Sequence, residues 1–301
     1  MAPPSSSFIW DTELLARAET LEWRSHVLVE GFLQGLHHSR LRGFSSEFAQ
    51  YQLYTQGDDL RYVDWRAFAR LDRLYVRQFE AETNLRCQIL IDISKSMAYR
   101  SEGVPFRKYD YAALLAATIM RLFLMQHDAF GVSLGKTKLV DHLPPRLSHL
   151  HFFRCLSLLE PVQPEGICDI TSCINSLAEL FPKRGLVVLF TDAWNDLEGM
   201  ISALQRLRFH RHEVCLFQIV DPREIDFNFK ESQLFEDMET EIRLPITPAW
   251  NRAQYLAALE KHQAALRQQC LDLGVVHLLL TTTQSPFQAL ATFLAQRESH
   301  P

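Results

Sequence analysis

Cys87-Gln-Ile-Leu-Ile-Asp92-Ile-Ser94-Lys-Ser96 decides how this chain is read. Residues 87–91 form a short apolar run, too short for a buried helix and rich in β-branched residues, so a strand covered on both faces is expected. The run stops at a carboxylate, and D-x-S-x-S then places one acid and two hydroxyls on a single loop. Asp92, Ser94 and Ser96 form an oxygen-only set, which suits a hard divalent cation such as magnesium rather than zinc. Gly185-Leu-Val-Val-Leu-Phe-Thr-Asp192 repeats the pattern of an apolar strand ending in an acid. In an open α/β sheet ligands bind beyond the carboxyl ends of the strands, so Asp92 and Asp192 are expected to face one crevice.

Strands and helices alternate outward from there. Strands are expected at 87–92, 129–134, 137–142, 185–191, 213–220 and 275–281. Helices are expected at 107–127, 147–159, 170–182, 195–207, 250–272 and 285–297, with an edge hairpin at 233–244. Gly274 is a natural C-cap for the long helix, and Pro286 fits a helix first turn. Such alternation predicts an α/β doubly wound, mainly parallel sheet with helices on both faces. Upstream, Leu14, Leu15, Ala18, Leu21, Trp23, Val27, Leu28 and Phe32 follow a helical period that weakens at Gly31 and Gly35. Leu74-Tyr-Val-Arg-Gln-Phe79 reads as a strand. The organisation predicted is an N-terminal helical and irregular subdomain over 1–86 and an α/β domain over 87–301.

Composition narrows the function classes. The 301 residues are 47% hydrophobic and 22% charged, enough apolar matter for a large core and too little charge for disorder. A net charge of −5 offers no basic excess for nucleic acid. Six cysteines without a C-x-x-C pair read as buried free thiols in a reducing, cytoplasmic setting. No apolar run is long enough to span a bilayer. Gly131-Val-Ser-Leu-Gly135-Lys136-Thr137 resembles a phosphate loop but has three residues between its glycines instead of four, so a turn between two strands is expected. No nucleophile elbow, H-E-x-x-H or D-x-D is present. His149, His151, His210 and His212 read as surface or capping groups.

The upstream segment carries a longer motif. Glu47, Phe48, Tyr54, Gly57, Asp58, Asp59, Arg61, Asp64, Trp65, Ala69 and Arg70, followed by the D-x-S-x-S strand end, resemble the signature of a bacterial family catalogued as domain of unknown function 58, which is von Willebrand factor A-like. The resemblance implies a von Willebrand A-like fold with a metal-ion-dependent adhesion site. In that site the first-strand Asp and two Ser, here Asp92, Ser94 and Ser96, join a middle-loop Thr and an Asp after the fourth strand, here Asp192. The chain departs from the family at Gln52, where Arg or Lys is usual. It departs again in the middle loop, where Cys168 stands for the threonine. A thiol is a soft ligand, so Asp169 or Thr171 would have to compensate.

What the resemblance implies about function is a non-enzymatic protein-interaction module holding magnesium or manganese, weakened by Cys168. Its expected partner is a MoxR-type AAA+ ATPase or that ATPase's client. Asp58, Asp59, Arg61, Asp64 and Trp65 are candidate partner-binding residues, and catalytic residues are expected to be none. The alternative is a metal-dependent phosphohydrolase using the same acids.

Overall fold

The computed structural model describes residues 15–16, 20–38, 51–53, 75–77, 85–194, 196–229, 233–236, 238, 243–246 and 248–298. Two compact units divide the chain, Met1–His38 with Leu85–Pro301, and Ser39–Asn84.

In the larger unit the elements run α1 (Leu21–His38), β3 (Arg86–Asp92), a 3₁₀ turn (Lys95–Ala98), α2 (Lys108–Met125), β4 (Ala129–Gly135), β5 (Leu139–Arg146), α3 (His149–Leu159), α4 (Ile170–Leu180), β6 (Leu186–Thr191), α5 (Leu197–Phe209), β7 (Glu213–Val220), the short α6 (Pro222–Asp226), β8 (Gln233–Glu236), β9 (Arg243–Ile246), α7 (Pro248–Asp272), β10 (Val276–Thr281) and α8 (Pro286–Glu298). In the smaller unit β1 (Tyr51–Leu53) pairs antiparallel with β2 (Tyr75–Arg77). The candidate partner-binding residues Asp58, Asp59, Arg61, Asp64 and Trp65 lie outside the described residues.

Six strands form one sheet in the order β10-β7-β6-β3-β4-β5. Every pairing is parallel except β4 with β5. The doubly wound α/β sheet expected from the alternating pattern is therefore present, as is the 233–244 hairpin, formed by β8 and β9. Helices α1, α2, α3 and α8 cover one face; α4, α5 and α7 cover the other. Strand side chains alternate between them. Leu90, Val187, Leu189, Val214 and Leu216 pack with Ile174, Leu177, Leu204 and Leu266 in the core on the α4/α5/α7 side. With both faces covered, β3, β6 and β7 are buried along almost their whole length, which is why they read as mainly apolar runs, interrupted only by the buried Gln88 in β3 and Gln218 in β7.

α1 continues through Gly31 and Gly35, because packing holds it: Leu28, Val29 and Phe32 are buried, Phe32 lies against Phe287 of α8 (ring centroids 5.6 Å apart), and Arg121 Nε of α2 donates to Ser25 Oγ at 3.2 Å. Tertiary burial outweighs the roughly 1 kcal/mol that an interior glycine costs a helix. The apparent phosphate loop resolves into β4 and the turn to β5. Gly131 is needed there because a Cβ would stand 2.3 Å from Leu143 O across the β4–β5 pair.

Two of the four histidines named above are not surface groups. His151 is buried beside Phe130, and His212 is fully buried and stacked on Phe181 at 5.1 Å. His151 lies on the buried face of α3, and His212 sits in the short link between α5 and β7, so both are carried inward.

Candidate functional site at the carboxyl edge of the sheet

Three strands of the sheet end in acids at the same edge: Asp92 as the last residue of β3, Asp192 just after β6 and Asp221 just after β7, all buried. Parallel pairing sets Ile91 opposite Phe190, so the next pair in register is Asp92 with Thr191. Residues opposite one another in parallel strands point to the same face. Accordingly Thr191 Oγ1 donates to Asp92 Oδ2 at 2.8 Å, while Asp92 Oδ1 accepts the Ser94 amide at 2.8 Å. Ser94 Oγ and Ser96 Oγ lie 3.0 Å apart. The D-x-S-x-S loop thus forms the compact oxygen cluster that its spacing implies.

Asp192 is one residue out of phase with Thr191 and meets the other face of the sheet. There Lys108 Nζ, at the start of α2, donates to Asp192 Oδ2 at 2.9 Å and to Glu224 Oε1 at 2.8 Å. Lys108 is fully buried. Burial opposes its charge, but the two carboxylates outweigh burial and hold the ammonium above its usual pKa. Glu224 also accepts the Asp221 amide through Oε2 at 2.7 Å, closing the capping box of α6. Asp221 accepts the Ser101 and Arg223 amides, each at 2.9 Å.

Asp92 responds to this setting. Burial, then the Asp192 charge, raises its pKa to about 6, against the lowering pull of the Ser94 amide and the Ser94 and Thr191 hydroxyls. Cys168 is brought to Asp92 by two backbone hydrogen bonds that tie its loop to the D-x-S-x-S loop, Lys95 N to Gly166 O (2.8 Å) and Glu165 N to Ile93 O (3.0 Å). Gly166 makes that turn with a φ of +72°. Pairing with Cys173, burial and the Asp92 charge together push the Cys168 thiol far above its ordinary range, so it is a protonated donor. Asp169 is exposed and caps α4, accepting the Ser172 amide at 2.9 Å. Thr171 is half-buried on the first turn of α4.

A hard divalent ion takes about six oxygen donors, and magnesium demands near-octahedral geometry. The donors here do not meet that need. Both Asp92 oxygens accept hydrogen bonds, Asp192 is bonded to an ammonium, Asp169 caps a helix, and the threonine position holds a protonated thiol. Among the described residues no group of three or more His, Cys, Asp and Glu side chains is placed to hold a metal ion.

Lys108, Thr191, Asp221 and Glu224 escaped the sequence reading. Asp221 carried a usable signal, since Val214-Cys-Leu-Phe-Gln-Ile-Val220 ends in an acid as the other two strands do. Lys108 carried none, because a lysine opening a helix normally reads as solvated.

An uncharacterized protein of Mycobacterium tuberculosis is 28% identical over 304 residues, covering 98% of this chain and 94% of its own length. Among solved structures, the conserved hypothetical protein BatB from Bacteroides thetaiotaomicron is similar at 15% identity with a TM-score of 0.46, over 71% of this chain and 99% of that one. The SpRpn10 VWA domain is similar at 10% identity with a TM-score of 0.38, over 69% and 94%. Residues 50–265 match the family described as "Protein of unknown function DUF58", and the chain belongs to that family.

Proposed function

We propose that this protein is a non-enzymatic protein-interaction module whose contact surface is the rim of loops at the carboxyl edge of the sheet. The observation that carries this is the engagement of every strand-end acid. Asp92, Asp192, Asp221 and Glu224 all accept hydrogen bonds from the chain's own amides, hydroxyls or ammonium. A general base needs a lone pair aimed at substrate, and a metal-dependent hydrolase needs carboxylates aimed at the ion. What the rim turns outward is the loop tied down at Glu165 and Gly166 instead. Ile167 is 47% exposed between exposed Gly166 and the Cys168 that anchors the loop at Asp92. An apolar side chain on a held loop, with Glu165 and Asp169 exposed on either side, has the make-up of an interface anchor.

The partner class comes from the family resemblance: a MoxR-type AAA+ ATPase, or its client. Among the described residues no helix is long and apolar enough to cross a membrane. Six buried cysteines that form no disulfide support a reducing, cytoplasmic setting.

One observation favours the phosphohydrolase reading. A carboxyl raised to about 6 is what a catalytic base presents. Asp92 is fully buried, however, and both of its oxygens are engaged. Purified protein should retain a purified cognate MoxR-type ATPase on a column. Ile167→Asp should abolish retention without moving the melting midpoint. Turnover of a phosphate ester by pure protein, lost in Asp92→Asn, would replace this reading with the enzymatic one.

A further inference from the structure

We infer that Lys108 is the resident cation of the strand-end cluster. It neutralises the acids there in place of a divalent ion, and such an ion is taken only once that ammonium is removed, between Asp192 and Glu224, the two carboxylates it bridges. This goes beyond the proposed interface and does not depend on it.

The position of Lys108 has no other explanation in local structure. It is the first residue of α2, where the aligned peptide dipoles and free amides favour a negative group. A lysine also carries about four methylenes of entropy and an ammonium that is costly to desolvate. Yet its side chain is wholly buried, more so than either acid it serves: 0% exposed, against 3% for Asp192 and 22% for Glu224. Two carboxylates at 2.9 and 2.8 Å supply the compensation.

The geometry shows why a divalent ion and the ammonium exclude each other. An adhesion-type ion would have to draw on Asp192 together with Asp92, Ser94 and Ser96. Asp192 Oδ2 is held by Lys108 on the α2 side of the sheet, while Asp92 is held by Thr191 in the opposite phase. A second cation brought to Asp192 would stand against the ammonium in a buried, weakly screened position. Lys108 is itself clamped. Glu224 holds it from the far side and is in turn fixed by the Asp221 amide, and the Lys108 backbone amide donates to Tyr99 O at 3.2 Å. The ammonium therefore has no easy route out, and the lysine does for Asp192 what a bound ion does elsewhere.

The test uses the full chain with manganese and magnesium as the probes. Manganese binding is read by the loss of the free-ion electron paramagnetic resonance signal, and stability by thermal melts in chelator and in millimolar metal. Wild type is expected to leave the manganese signal unchanged and to melt at one temperature in all three conditions. Lys108→Met is expected to melt lower in chelator, to recover several degrees in manganese, and to deplete the free-ion signal. Lys108→Met/Asp192→Asn is expected to be indifferent to metal. Cys168→Thr alone is expected to bind no manganese, because the lysine is still present. Should Lys108→Met fail to fold without metal, refolding it in manganese should restore the native circular dichroism spectrum. Manganese binding or metal stabilisation in wild type or in Cys168→Thr overturns the inference. So does a Lys108→Met protein that ignores metal, folded or not.

Discussion

Thr191 Oγ1 sits 2.8 Å from Asp92 Oδ2 and, in the other direction, accepts the Ala193 amide at 3.1 Å. One hydroxyl therefore joins the end of β3 to the turn after β6, a turn in which Ala193 is forced to a φ of +57°. Thr191→Val keeps the shape and deletes both bonds. It should cost about 2–4 kcal/mol, since it leaves a buried carboxylate and an amide short of a partner. Thr191→Ser should cost under about 1.5 kcal/mol, the loss of a methyl. Urea unfolding of the pair decides, and equal losses would mean that packing, not the hydroxyl, holds the turn.

Removing the buried ammonium should be among the costliest single changes in the chain. Lys108→Met in metal-free buffer is expected to lose about 3–5 kcal/mol, the usual result of stranding a buried charge. Lys108→Arg should not rescue it fully, because a planar guanidinium cannot occupy the tetrahedral point between Asp192 and Glu224. A loss near 1 kcal/mol for Lys108→Met, measured by equilibrium unfolding, would show the pair to be exchangeable for apolar packing.

Gly131 and Gly103 should respond differently to the same substitution. Gly131→Ala drives a Cβ to 2.3 Å from Leu143 O and 2.6 Å from Gln88 Oε1, so the β4–β5 pairing must shift, at a cost of at least about 3 kcal/mol. Gly103→Ala meets nothing within 4 Å and suffers only its φ of +80°, worth about 1–2 kcal/mol. Comparable melting points for the two variants would contradict this ordering.

His277 should make the fold acid-sensitive. Burial, then the positive charge of Arg267, lowers its pKa to about 4, and its Nε2 pairs with Gln218 Oε1 at 3.1 Å. The unfolded chain therefore binds the proton first. Stability from this group is complete above the unfolded pKa of about 6.5 and is lost as pH falls toward about 4. Between pH 7 and 5 wild type should lose roughly 1–2 kcal/mol more than His277→Gln. Parallel pH profiles for the two proteins would remove His277 from the account.

All six cysteines are buried and none is in a disulfide, and burial raises the thiols of Cys87, Cys155, Cys215 and Cys270. Thiol-reactive dye should label the native chain slowly, at the rate of unfolding, and label all six positions in denaturant. Rapid labelling of a folded chain, mapped by mass spectrometry, would locate an opening of the core.

The fold was legible because its strands are buried on both faces. Residues 186–190 admit no polar interruption and 87–91 only the buried Gln88, and turn or cap residues bracket the runs: Gly185 before β6, Gly274 before β10 and Pro286 at the head of α8. The oxygen cluster was legible for a similar reason, since Asp92, Ser94 and Ser96 share one loop and need no knowledge of the rest. Asp192 was harder. Its strand ends in Thr-Asp, and a one-residue difference in where pairing stops moves the acid to the opposite face. Lys108 could not be seen at all. Its meaning depends on Asp192 and Glu224, 84 and 116 residues away along the chain.

Glu224 touches both Lys108 and the Asp221 amide, and through its own carbonyl it accepts Tyr255 Oη of α7 at 2.7 Å. A change at any of these positions alters what the others must do. Among descendants of a common ancestor, positions 108, 192 and 224 are therefore expected to change as a set. A lineage that trades the lysine for a neutral residue should show an amide or an apolar side chain at 224. If it keeps both acids instead, it should need a divalent ion between them. Lineages sorted by residue 108 would then divide into those whose cluster is closed by a covalently attached charge and those that depend on the ions of the cell.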